Sequence, residues 1–149
     1  RLFIAYFYTS GYYLAKNLDK AADVLAPTKE EEPVPKGLES FRDYLYVNAK
    51  YKIHTAKEEK EKLVEMFEFF EKKYSKEALE AKSESVDTTA YYVAGYIQEK
   101  HFQNLEAARE FYQLGFDLEN TNKEEIFVLK SVAFKRKCKS KLDKASHED

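Results

Sequence analysis

The side chains best suited to metal binding or nucleophilic chemistry are few: His54, His101, His147 and the single Cys138. Metal sites gather three or four such ligands at short spacings on one face. The three histidines are scattered singly along the chain, so no metal is expected. His147 sits in a terminal "HED" that reads as a frayed tail. Cys138 falls in register with Phe127, Phe134 and Leu142, an apolar stripe at helical spacing, and so reads as a buried structural thiol rather than a nucleophile. No glycine-rich phosphate loop and no nucleophile elbow occurs, and the abundant carboxylates fall on solvated faces such as "KEEKEK". The expectation is a non-catalytic protein without a cofactor. An enzyme whose site assembles from distant residues is the third-ranked reading.

Two features could instead serve recognition. The chain has 12 tyrosines and no tryptophan. On helices a tyrosine stripe belongs either to a core, with hydroxyls reaching water, or to an interface. The second feature is "KSVAFKRKCKSKLDK", residues 130–144, with seven Lys and Arg against one acid, Asp143, in a chain of net charge −2. In one reading it is half of a terminal capping helix. Phe127, Phe134, Cys138 and Leu142 pack inward, and Lys135, Arg136, Lys139 and Lys141 point out, where cations suit a helix C-terminus. In the other, those four residues form a basic patch for RNA or an anionic surface. No aromatic follows Phe134 to stack a base, so capping ranks first and nucleic acid is not the expected partner.

These residues need elements to hold them, and the pattern is helical throughout. The length of 149 residues suits one domain, spanning 1–149. A 44% hydrophobic and 15% aromatic composition can fill a core, while 35% charged residues keep the surface solvated. One cysteine excludes an internal disulfide and suits a reducing, cytoplasmic setting. The chain opens on Arg1 rather than Met, which leaves room for an upstream segment. "LFIAYFYTSGYYLA" is too short and too rich in hydroxyls to span a bilayer. Pro27, Pro33 and Pro35 bracket an acidic loop. No long alternation of apolar and polar residues suggests a strand. Leu38, Phe41, Leu45 and Asn48 share one helical face; Leu63, Phe67, Phe70 and Tyr74 share another, widened by Met66 and Phe69. The elements are helices at 2–16, 18–26, 37–54, 57–74, 76–82, 88–101, 105–119 and 123–142, with Asp87 capping the helix after it. They pair into hairpins over 2–26, 37–74 and 88–119.

One phrase occurs twice. "NLDKAADVL" at 17–25 and "NLEAAREFYQLGFDLEN" at 104–120 both begin Asn-Leu-acid with Ala four residues after the Asn, and each follows a twin tyrosine. Small alanines after a turn let two helices approach, and a hairpin built this way buries its faces by stacking on copies of itself. The third hairpin, with Ala94-Gly95 in its first helix and Ala108, Phe111-Tyr112, Gly115 in its second, resembles the tetratricopeptide repeat family. The first hairpin matches through Tyr12, Leu18, Ala21 and Leu25. Asn120 stands where the family usually has proline, and the middle hairpin lacks the small-residue signature. The likeness covers about half the chain.

The resemblance implies an all-α fold of stacked antiparallel hairpins closed by the 123–142 helix, and a concave groove lined by first helices that holds a protein or peptide segment. The groove positions it implies are Phe3, Tyr6, Ser10, Tyr13, Thr89, Tyr92, Tyr96, Glu99 and Lys100. Family members that grip chaperone tails place lysine and asparagine there. Here Tyr92 and Tyr96 take those places, so an aromatic groove for an apolar partner segment is expected instead. The order of hairpin, insert and hairpin is also similar to helical-repeat subunits of larger assemblies. On this reading Tyr92 and Tyr96 are partly exposed, and Ala21, Ala108 and Gly95 sit at helix crossings.

Overall fold

A computed structural model describes residues 38–82 and 86–148, with side chains as far as Lys144. The expected helices at 2–16 and 18–26, and Ala21 with them, lie outside these residues. Within them the chain forms α1 (Glu39–Ala56), α2 (Lys60–Lys73), α3 (Lys76–Ala81), α4 (Thr88–Ile97), α5 (Leu105–Asp117) and α6 (Glu125–Glu148). A π-helical turn, Gln98–Phe102, extends α4. No strand occurs among the described residues, and none of the described helices is long and apolar enough to cross a membrane. The chain divides into two compact units with the boundary between Glu68 and Phe69.

Helix starts follow the local chemistry. Ser75 accepts a hydrogen bond from the Ala78 N–H, Asp87 from Ala90 at 2.8 Å, and Asn104 from Ala107 at 3.1 Å. Each satisfies a donor that a first helical turn leaves orphaned. Before α6, Asn120 and Asn122 each turn the chain by accepting from the N–H two residues on, Asn122 and Glu124.

In the first unit, α1 has no exposed side chain from Ser40 to Tyr51. Leu45, Val47, Ala49 and Ile53 are buried, and so is Asp43, whose carboxylate accepts from Arg42 at 3.1 and 3.2 Å. The turn into α2 places Glu58 in the left-handed region at φ 58°. His54 closes it: its Nδ1 lies 3.1 Å from Glu59 Oε1, and its carbonyl accepts the Glu59 N–H at 2.8 Å. On this unit's part of α2, Met66 and Phe67 are buried as the spacing predicts. In the second unit's part Phe70 is buried, as is Tyr74 just past the helix, but Phe69 is 55% exposed and rests edge-on against Phe70. It sits a further 100° around the helix from Phe70, beyond the buried stripe.

In the second unit α4 is the central element. Every residue from Thr88 to Ile97 is buried except Tyr91, which is half-buried. α5 turns Ala108, Phe111, Tyr112 and Gly115 toward it, a stripe at i, i+3, i+4, i+7. Gly95 lies under the Tyr112 ring so closely that a Cβ there would come within 2.5 Å of it. At Gly115 a Cβ would meet Cys138 Sγ and Tyr91 Cβ, each at 3.1 Å. The two glycines, with Ala108 at 2% exposure, mark the close crossings. Thr88 adds a buried hydrogen bond to the Gly115 carbonyl at 3.0 Å.

Candidate functional site

The side chains that join α6 to α4 fix which surfaces the second unit presents. Phe134 and Cys138 are buried, with Phe134 edge-on to Tyr92 at 5.7 Å. Two ion pairs flank this contact. Lys130 Nζ lies 2.7 Å from Asp87 Oδ2, while Asp87 Oδ1 caps α4; Lys141 Nζ lies 2.7 and 3.2 Å from the Glu99 carboxylate. Since Lys130 meets the start of α4 and Lys141 its far end, α6 runs in the same direction as α4. α5, returning after the turn, runs opposite to both.

This arrangement corrects the expected groove. Thr89, Tyr92 and Tyr96 are buried, at 0%, 5% and 6% exposure, not displayed. Tyr92 stands within 5.5 Å of the Tyr112 ring and 6.5 Å of Tyr96. Its position, one turn from Gly95 on α4, faces both Tyr112 of α5 and Phe134 of α6. Glu99 and Lys100 are half-buried. Glu99 is held by Lys141, and Lys100 approaches Glu99 at 3.4 Å and the Tyr96 ring at 6.0 Å. Phe3, Tyr6, Ser10 and Tyr13 lie outside the described residues.

The basic patch is also smaller than expected. Arg136 and Lys139 are exposed, with Lys139 over the Phe116 ring at 6.0 Å. Lys135 is half-buried, and Lys141 does not point out but is spent on Glu99. The inward stripe holds: Phe134 and Cys138 are buried, Phe127 and Leu142 half-buried. The outer face of α6 differs from that expected of a cap, because Leu129, Val132, Ile126 and Val128 are exposed at 61%, 44%, 39% and 37%. A shielding helix would be polar there.

Burial pushes the Cys138 thiol up to about 12, so it is no thiolate nucleophile at neutral pH. Desolvation, followed by the nearby Glu99, pushes the Tyr112 phenol far above its ordinary range. Its hydroxyl and that of Thr89 are buried without a hydrogen-bond partner from the protein. His101 sits edge-on to Phe102 at 4.6 Å. The His147 side chain is outside the described ones. Among the described residues no group of His, Cys, Asp and Glu could hold a metal ion.

Large apolar side chains remain in the open around the α4–α5 turn. Phe102 is 48% and Leu105 62% exposed. Gln103 between them takes the left-handed region at φ 53°, which turns the chain sharply enough to present both. Phe116, 36% exposed, lies eleven residues after Leu105, about three turns along the same side of α5, with exposed Arg109 between. Periodicity alone does not single out this set, because Leu105 belongs to the repeated phrase and Phe102 to the turn. The available signal was a phenylalanine inside a turn, where a core residue has no reason to be. The chain matches no known protein family, no characterised protein and no solved structure.

Proposed function

We propose that this chain is a non-catalytic protein-interaction scaffold of stacked helical hairpins, related in kind to tetratricopeptide repeats. It holds an apolar segment of a protein partner on the outer side of the α4–α5 hairpin. The observation that carries this is the exposure of Leu105 and Phe116 along one side of α5, with Phe102 exposed in the turn before it. Exposed aromatic and aliphatic anchors flanked by a charge such as Arg109 are what partner surfaces use. The repeat reading draws support from the alternation of α4, α5 and α6. In a hairpin stack the helix after a hairpin lies parallel to that hairpin's first helix, as α6 lies along α4. Small residues at the crossings, Gly95, Ala108 and Gly115, support it too.

The competing reading is binding of nucleic acid or an anionic surface through residues 130–144. It is weaker because Lys130 and Lys141 already face carboxylates, and counterion release needs several lysines free to meet phosphates. A photo-crosslinker at position 105, with a control at exposed Glu80, tests the proposal. Crosslinks to one discrete protein at 105, lost in Phe102→Ser, are expected. Equal labelling at 105 and 80, together with salt-sensitive RNA retention abolished by Arg136→Ala/Lys139→Ala, would transfer the function to the basic segment.

A further inference from the structure

The outer face of α6 is independent of the partner surface on α5 and has a property of its own: it is complementary to itself. Phe134 and Cys138 mark the inner side. Opposite them, Glu125, Leu129, Val132 and Arg136 are all exposed and follow one another at intervals of four, three and four residues. That spacing keeps a seam on one side of a helix, as in paired helices. It also reads the same from either end about a point between Lys130 and Ser131. Reversal exchanges Leu129 with Val132 and Glu125 with Arg136. It also exchanges Val128 with Ala133, which flank the seam and are both exposed.

We infer that a second copy of this chain docks on α6, with the two helices antiparallel about a two-fold axis between Lys130 and Ser131. A two-fold interface places one surface patch against itself. In this register Leu129 of each copy meets Val132 of the other, and Glu125 of each meets Arg136 of the other. The parallel register would set Glu125 against Glu125 and Arg136 against Arg136. The exposed apolar residues Leu129, Val132 and Val128 lose contact with water, and the charges at the two ends select the direction. The inner lysines, Lys130 and Lys141, hold α6 against α4 and so present the seam on a fixed helix. One helix per copy makes a small interface, so dissociation is expected in the range of roughly ten to a hundred micromolar.

Sedimentation equilibrium of the full chain, from a few micromolar to about half a millimolar, decides the matter. The wild type should fit a monomer–dimer equilibrium. Val132→Glu should remain monomeric throughout with unchanged circular dichroism, as a surface position allows. Glu125→Arg and Arg136→Glu should each weaken the dimer roughly tenfold. Mixed together, those two single variants should form a heterodimer, and the double variant should recover to within about threefold of wild type. A wild type that is monomeric at the highest concentration would overturn the inference. So would a dimer unmoved by Val132→Glu, or a double variant no tighter than the singles.

Discussion

At the scale of single residues, the second unit is decided by how little room its crossings leave. Gly95 and Gly115 are both helical glycines, and replacing either with alanine gains about 1 kcal/mol of helix propensity. The gain survives only where a Cβ fits. At Gly95 it meets the Tyr112 ring at 2.5 Å, and that ring is itself packed against Tyr92. Gly95→Ala should therefore lower stability by about 1–3 kcal/mol, whereas Gly115→Ala, with its closest contacts at 3.1 Å, should change it by less than about 1 kcal/mol. Urea midpoints of the two variants check the contrast. The Tyr112 hydroxyl, buried without a protein partner, costs desolvation while its ring contributes packing. Tyr112→Phe should accordingly raise the midpoint, and a drop of more than about 1 kcal/mol would mean that the hydroxyl is satisfied. Glu59 supplies a pH signature. Hydrogen bonds from Lys62 and then His54 hold its carboxyl down at about 2. A carboxylate lowered on folding stabilises above its unfolded value of about 4.3, and that stability is lost as pH falls toward 2. Between those values the melting temperature of Glu59→Gln should fall less steeply than that of the wild type.

At the scale of elements, Asp87 does two jobs with two oxygens, capping α4 and meeting Lys130 of α6. Asparagine keeps the cap and loses the ion pair; alanine loses both. Asp87→Ala should cost about 1–2 kcal/mol, since a cap alone is worth about 1 kcal/mol and the ion pair adds at most about as much again. Asp87→Asn should cost less, because a part-exposed pair is worth no more than about 1 kcal/mol. Thermal melts in low and high salt separate the two effects, since only the ion pair is screened. Equal losses in both variants would deny the cap its role.

At the scale of the whole molecule, α6 is part of a core rather than an appendage. Phe134 and Cys138 close over Tyr92 and Gly115, so removing residues 124–149 would uncover buried aromatic surface on α4 and α5. The truncated chain should lose slow hydrogen exchange across Thr88–Ile97 and aggregate. Persistence of that protection would show that the α4–α5 hairpin stands alone.

Helical class, the starts of α3, α4 and α5, and the cap Asp87 were legible in the sequence, because they depend on side chains within a few residues of the backbone they serve. The stripe Ala108, Phe111, Tyr112, Gly115 was legible for the same reason: period and size are local. What covers each face is not local. A buried tyrosine and a groove tyrosine share one spacing on α4, and only the arrival of Phe134 and Tyr112 from later helices puts Tyr92 in the core. The lysines of α6 posed the same ambiguity. A run of seven positive charges reads as a surface, yet Asp87 and Glu99, about forty residues upstream, take two of them. Propensity and periodicity act along the chain, and they chose the helices. Burial and charge pairing act across it, and only the packed helices determined which tyrosines, leucines and lysines were left facing outward.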